Sequence, residues 1–585
     1  MKLVIETMHC YLNNKPAHLA RSIMLLLGCA VVALPILPFW WSGSAEHRII
    51  LLFGCFIGVI ALAAIIGFKK IHLVKLGVLD LWCLGLMVYC AANNLCQDHY
   101  YLIEPLFYVK WLSLILVYFF CRNIGDDRGS LWFSAALAAS AFVQAVISIL
   151  QYLGVIGVTL NGNFVNSAGF ANTIPLSVYL AVGFICCLRL CFRLYKNGRY
   201  PLVVTVFFVG ITIAVAFALC LCRGTLVGLI VAGVVFMLDN MRMQHNPKWK
   251  ILAGIAMVIC LLILVGWLYM LKVPSANTRF LLWRVSGDMI VENPLFGRGS
   301  PGVAADYMYY QAEYFRNNPE SGFVKISNNH YQSYNIFVQM LVEHGVVGFV
   351  LLMGVIWTAF ARCRKGVWRY VLLCLLAASC FTYTNHVFPL MLIFPMALGM
   401  LREEESGVVK AGFLIRIAVG VVGLFLIGYS VIALGRYERV CRVVEKGGFV
   451  GSKDFMELCR NNRNFNLQCS MNIFNSEELA AAEKLEMMEF LNEGMTTSEK
   501  ICDMGDLYLA VGDVVKAEEH YLLAHYMVPC RVIPLGKLIA LYEKVGDEEK
   551  LFDVSQKIID TDYSVVSSVT LRIRARAKEI IGKFE

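Results

Sequence analysis

The feature that most constrains this chain is a succession of apolar stretches, most of them long enough to cross a bilayer as a helix. Thirteen are read as spans: 22–41, 49–67, 76–93, 105–121, 131–152, 170–188, 201–221, 225–241, 251–271, 334–361, 367–383, 387–401 and 412–435. About 20 apolar residues cover the hydrocarbon core at about 1.5 Å per residue. In lipid each backbone N–H and C=O must find its partner within the segment, so these stretches are helices. Composition agrees, with 59% hydrophobic and 16% charged residues, outside the range of a soluble globular chain. The expected fold class is therefore all-α, a polytopic membrane protein of about 12–13 transmembrane helices.

Charge sets the expected orientation. The formal charge is +9, but Lys and Arg gather in alternate short loops, at Lys69/Lys70/Lys75, Arg122/Arg128, Arg189–Arg199, Arg242–Lys250 and Arg362–Arg369. That is the positive-inside pattern of a membrane protein and gives no support to nucleic-acid binding. It places the N-terminus in the cytoplasm, and the long loop 272–333 and the tail outside. Met1–Ala20 is polar, so no cleavable signal peptide is expected. Most of the 21 cysteines sit in apolar spans as small packing residues. The five in the tail have no metal-ligand spacing, and neither a metal nor another cofactor is expected.

The chain divides into a membrane domain, 1–435, and a soluble helical domain, 436–585. In the second, Tyr508, Gly512 and Asp513 recur 34 residues later as Tyr542, Gly546 and Asp547. That period, with Ala517, Tyr521, Ala524 and Pro529 following, is the tetratricopeptide signature. A short solenoid offers a groove for a protein partner; otherwise it only stabilises the membrane part.

Several polar residues stand where they are costly. Asn335, Gln339 and Glu343 follow at four-residue steps, one polar stripe on an apolar helix, which faces a bundle interior or a wet cavity. Arg223 lies between two spans, as an interfacial anchor or as a phosphate clamp. Arg279 and Trp283 share a helix face in the long loop, with Arg284 beside them. The run Asn293-Pro-Leu-Phe-Gly-Arg-Gly299 reads as a helix stop and tight turn. Between Gly162 and Asn172, Asn163 and Asn166 suggest either a re-entrant segment lining a cavity or an ordinary outer loop. His330, one turn before Tyr334, is either structural or a group that titrates near neutrality. His386 is a weaker second candidate, and Asp80 reads as a satisfied interior carboxylate.

Together these residues resemble the O-antigen ligase family, which also holds O-antigen polymerases and protein O-oligosaccharyltransferases. The matching elements are Arg223-Gly224, Arg279-x3-Trp283, Asn293–Gly299 and Tyr334-Asn335-x9-Gly345-x2-Gly348. Gly162–Ala171 is similar to an element of one branch, whose members also carry C-terminal tetratricopeptide repeats. Where the family has histidine this chain has Tyr334. Either His330 supplies the imidazole from one turn earlier, or Tyr334 takes a hydrogen-bonding role, or the chemistry is altered.

The resemblance implies a metal-independent glycosyltransferase of the bacterial inner membrane. It would move a glycan from undecaprenyl pyrophosphate to a hydroxyl of lipid A-core, of another glycan or of a protein at the periplasmic face, as in lipopolysaccharide biosynthesis. Arg223 and Arg279 would grip the pyrophosphate, with Arg284, Trp283, Tyr334, Asn335, Glu343 and Asn166 around the substrate. His330, or else Glu343, would take the acceptor proton. A lipid-linked sugar transporter and an envelope-assembly scaffold are the non-enzymatic alternatives. A transporter would spread its cations through a central cavity between two similar halves, whereas here the arginines gather on the outer side.

Overall fold

A computed structural model describes residues 46–67, 73–97, 102–157, 165–240, 273–403, 407–410 and 413–584. Isolated gaps fall at 104, 125–126, 171, 365, 562 and 564–566, and a few more residues are described within 26–30 and 254–270. The spans expected at 22–41 and 251–271, and Gly162 and Asn163, lie largely or wholly outside the described residues.

The described chain is helical apart from one two-stranded antiparallel ribbon, β1 (Leu73–Leu76) on β2 (Gly407–Lys410). The membrane part contains α1 (Glu46–Gly67), α2 (Val78–Cys96), α3 (Pro105–Ile124), α4 (Asp127–Tyr152), α5 (Thr173–Lys196), α6 (Tyr200–Leu219) and α7 (Arg223–Asn240). Next come α8 (Val273–Glu292), α9 (Gly302–Asn317), α10 (Ile336–Ala361), α11 (Val367–Ser379), α12 (Phe388–Met400) and α13 (Phe413–Glu445). Nine of the described helices are long and apolar enough to cross a membrane.

The stretches read as full spans at 367–383 and 387–401 instead form two 13-residue helices, α11 and α12, joined through a single 3-10 turn at Thr384–His386. Thirteen residues rise about 20 Å, against a hydrocarbon core of about 30 Å. Neither α11 nor α12 is therefore long enough to cross that core by itself.

At the other end of these helices Arg122 ties three segments together. It makes an ion pair with Asp80 at 2.9 Å and with Glu403 at 3.4 Å, and donates to the Leu401 carbonyl at 2.6 Å. Tyr118 adds a bond to Asp80 at 2.6 Å. All three charged side chains are buried, and the carboxylates survive there because Arg122 and the amides of Gly77 and Val78 also donate to them. Asp80 is satisfied, as its sequence context suggested.

The most unusual element is α10, which breaks at Gly345 (φ 63°, ψ −167°). A broken helix in apolar surroundings leaves amides and carbonyls that need partners. The run after α8 supplies them: Arg298 and Gly299 donate to the carbonyls of Val342 and Glu343 at 2.9 and 2.7 Å. In return Val346 and Val347 donate to the carbonyls of Pro294 and Leu295 at 2.8 and 3.3 Å. The Asn293–Gly299 run is thus a strap laid into the helix break, more than the turn its sequence suggested. Asn93 fastens it from α2, donating to the carbonyls of Phe296 and Glu343.

The tail is a run of helices, α14 (Lys453–Asn461), α15 (Arg463–Phe474), α16 (Ala481–Gly494), α17 (Ser498–Ala510), α18 (Val514–Met527), α19 (Ile533–Val545), α20 (Glu548–Asp560) and α21 (Ser568–Phe584), nearly all packed on their sequence neighbours. The 34-residue echo is a repeated turn. Gly512 and Gly546 take φ of 90° and 81°, and Asp513 and Asp547 cap the following helices through Lys516 N and Lys550 N. Tyr508 and Tyr542 donate to Glu489 and Glu518, each under a lysine.

The tail and the long loop touch. Gln311 donates to the Met527 carbonyl at 2.5 Å, and Cys530 Sγ to the Ser327 carbonyl at 3.2 Å. Arg531 reaches Asn328, while Asn329 both accepts from Ser498 N and donates to Glu499. Loop and tail therefore lie at one end of the helical bundle, the end called here the loop end. The helix α13 runs unbroken through position 435 toward the tail, and Arg48 of α1 pairs with its Glu438.

A Cβ at Gly297 would stand 2.5–2.6 Å from backbone atoms of Val342, Glu343 and His344, at φ 69°. Gly297→Ala is expected to cost at least about 3 kcal/mol, read as a lowered unfolding temperature of the purified protein. Gly287→Ala, where a Cβ meets nothing within 4 Å inside α8, is expected to raise that temperature slightly, since alanine is favoured over glycine in a helix by about 1 kcal/mol.

Candidate functional site

At the loop end two of the three arginines singled out in the sequence, Arg223 and Arg279, come together around Phe381. Arg279, on α8, donates through Nε to the Phe381 carbonyl at 3.0 Å. Its Nη1 donates to the carbonyl and hydroxyl of Ser275 at 2.6 and 3.0 Å. No carboxylate among the described residues pairs with it, and its Nη2 has no partner among them. Arg223 opens α7, and the next residue packs against the same point: a Cβ on Gly224 would lie 2.9 Å from Phe381 Cβ. Trp283, one turn after Arg279, sets its ring 6.4 Å from that of Phe381 and donates Nε1–H to the Ser333 carbonyl at 3.1 Å.

Two like charges stand close together here. Burial lowers the pKa of the Arg279 guanidinium, and the neighbouring positive charge of Arg223 lowers it further. Arg223 also stands at a helix N-terminus, where the backbone dipole is already positive. An anion between the two guanidinium groups would offset their mutual repulsion and suit the helix N-terminus, and their planar forks match phosphate oxygens.

An aromatic chain leads away from the cluster. Tyr334 makes an edge contact with Tyr383 at 5.3 Å and with His330 at 6.4 Å, and His330 makes another with Tyr307 at 6.1 Å. Tyr334 has φ 50°, a left-handed conformation that a tyrosine adopts only when its surroundings hold it. Burial raises its pKa, and Arg463 and Arg279 both act against that rise. His330 is buried, its Nε2 without a hydrogen-bond partner in the structure, and desolvation lowers its pKa to about 4.

The polar stripe is spent largely on internal bonds. Asn335 is the N-cap of α10, accepting from Phe337 N and Val338 N. Gln339 bridges His386 and Glu343, both at 2.9 Å, and Glu343 also accepts from Ser300 Oγ at 2.7 Å. The chain His386–Gln339–Glu343–Ser300 thus links the 3-10 turn, α10 and the strap. Arg284 is exposed and pairs with Asp288 at 3.7 Å on its own helix. Asn166 is buried beside Ser148 at 3.4 Å, in a segment whose Ala168 and Gly169 amides are bonded by Gln151 and Gln144 of α4.

Of the nine residues picked from sequence, Arg223, Arg279, Trp283, His330 and Tyr334 thus form one connected group. Asn335 and Glu343 adjoin it, while Arg284 and Asn166 have partners elsewhere. Phe381, Tyr383 and Tyr331 escaped sequence reading, since aromatic residues near apolar stretches look like core. A cavity of about 990 Å³ lined by Arg436, Arg439, Arg442 and Lys446 lies where α13 meets the tail, and none of the nine residues lines it.

The low pKa of His330 carries a sign. Its unfolded value near 6.5 exceeds the folded value of about 4, so the stability from burying a neutral ring is complete above pH 6.5 and falls as pH drops toward 4. Thermal unfolding at pH 7.5 and pH 5 should show wild type losing about 2 kcal/mol more than His330→Phe.

Residues 208–353 match the family model described as O-Antigen ligase. The matched segment contains Arg223, Arg279, Trp283, the strap, His330 and the broken part of α10; Phe381, Tyr383 and the tail lie beyond it. No curated protein and no solved structure matches the chain.

Proposed function

We propose that this chain, which carries an O-antigen ligase domain over residues 208–353, transfers a glycan from an undecaprenyl-pyrophosphate carrier to an acceptor hydroxyl at the outer face of the bacterial inner membrane. The observation that carries this reading is the meeting of Arg223 and Arg279, from stretches far apart in the chain, at Phe381. Two like charges held together at a helix N-terminus suit a dianionic group.

In the reaction, the bond between the anomeric carbon and the pyrophosphate oxygen breaks, and the electron pair leaves with the lipid pyrophosphate. The acceptor oxygen forms the new glycosidic bond and gives up its proton. Arg223 and Arg279 stabilise the charge that grows on the leaving group, the part of the reaction where fixed donors act most strongly. Trp283 supplies a face beside them for the sugar or the lipid phosphate. His330, neutral at physiological pH, is the proton acceptor this reading favours, acting next to Tyr334, which stands at the family's histidine position. Arg284, Asn335, Glu343 and Asn166 then serve the architecture around the substrate. The loop end is periplasmic in this reading, and the tail with it.

Purified protein in nanodiscs, given a lipid-linked glycan and in turn lipid A-core, a second lipid-linked glycan or a serine-rich protein, identifies the acceptor among ligase, polymerase and oligosaccharyltransferase. Arg279→Ala and Arg223→Ala are each expected to cut transfer by about 100-fold or more, with Arg279→Lys recovering only part because an ammonium lacks the fork. Wild-type rates in both alanine variants would overturn the transferase reading and leave the scaffold alternative.

A further inference from the structure

The C-terminal domain brings a side chain of its own to the aromatic chain beside the arginine cluster. Arg463, the first residue of α15, stacks its guanidinium over the Tyr331 ring at 3.4 Å from the centroid. Tyr331 lies one residue after His330 and three before Tyr334. Arg463 is exposed, and no carboxylate among the described residues pairs with it. An exposed arginine held by an aromatic face keeps its donor edge ordered while its charge remains uncompensated.

The rest of the interface fixes this placement. From Ser327 to Asn329 successive loop residues are bonded by Cys530, Arg531, Ser498 and Glu499 of the tail. On the far side of the same turn Trp283 holds the Ser333 carbonyl. Both ends of α15 are held as well: Asn462 caps its start, and Asn472 in its last turn donates to the carbonyls of Val444 and Gly448 at 2.9 and 3.0 Å. The turn 327–334 is therefore clamped between the tail and the Arg279–Trp283 helix, and Tyr334 is an electrostatic neighbour of both Arg279 and Arg463.

We propose that Arg463, carried by the C-terminal domain, is a third cation of the donor site and binds an oxyanion of the lipid-linked substrate. This rests on the transferase reading above. It makes the tail a wall of the reaction site in addition to any role in binding other proteins. The oxyanion is either the pyrophosphate of the carrier or a carboxylate on the glycan, two sources of one chemistry.

The test uses full-length protein in nanodiscs and three probes: undecaprenyl pyrophosphate, undecaprenyl-pyrophosphate-linked glucose and undecaprenyl-pyrophosphate-linked glucuronic acid. Arg463→Gln is expected to weaken binding about tenfold, with Arg463→Lys restoring part of it through its charge and the unfolding temperature unchanged. Equal weakening for all three probes assigns Arg463 to the pyrophosphate, and weakening for the glucuronate alone assigns it to an acidic sugar. If Arg463→Gln binds all three within about twofold of wild type while Arg279→Gln is weakened, Arg463 is not part of the site and the transferase reading stands. A loss that lysine does not restore even in part, or that comes with a lower unfolding temperature, overturns the proposal in favour of a packing role. If wild type binds none of the probes, or Arg279→Gln binds as wild type does, the transferase reading falls and this inference with it.

Discussion

The loop end is organised by a helix that stops being a helix. At Gly345 the α10 ladder opens, and the backbone groups it releases would be prohibitively costly in hydrocarbon if left alone. The strap from Pro294 to Gly299 closes that account with four backbone bonds, in a manner closer to a sheet than to a helix packing. Because the strap follows α8 directly, the position of Arg279 and Trp283 is referred to the body of α10. Because α9 and the 327–334 turn follow the strap, so is the position of His330 and Tyr334. Glycine at 297 and 345 is required by close backbone approach at positive φ, and neither position needs a part in chemistry to explain its residue.

A second organising effect is the shortness of α11 and α12. The short segment that joins them carries Phe381, Tyr383 and His386. There Arg279 donates to the Phe381 carbonyl, and no carboxylate among the described residues pairs with it. Elsewhere the protein treats buried arginine differently. Arg122 is matched by Asp80 and Glu403 and is spent on holding helices together. The contrast between these two buried guanidinium groups separates a structural cation from one that suits a substrate.

Much of this was legible in the amino-acid pattern, because membrane helices announce themselves by length and apolarity. Nine described helices agree with the expected spans, and the four-residue spacing of Arg279 and Trp283 placed both side chains on the face that meets Phe381. Hydropathy placed the interruption between α11 and α12 at Thr384–His386, but it read the flanks as spans over 367–383 and 387–401, where each helix has 13 residues. Asn335 was read as part of a stripe, whereas an asparagine directly before an apolar run is also the pattern of an N-cap. Arg463 gave no local signal: it is one basic residue in a charged helical tail, and only the fold brings it to Tyr331.

The bonds from Ser327 to Tyr331 bear on how such a chain can change over generations. Replacing the C-terminal helices alone by those of a relative would strand the amides of Asn328 and Asn329 and uncover Tyr331. The two segments, remote in sequence, are therefore expected to be inherited as a matched pair, so that a shuffled tail works only when its own 327–331 turn travels with it.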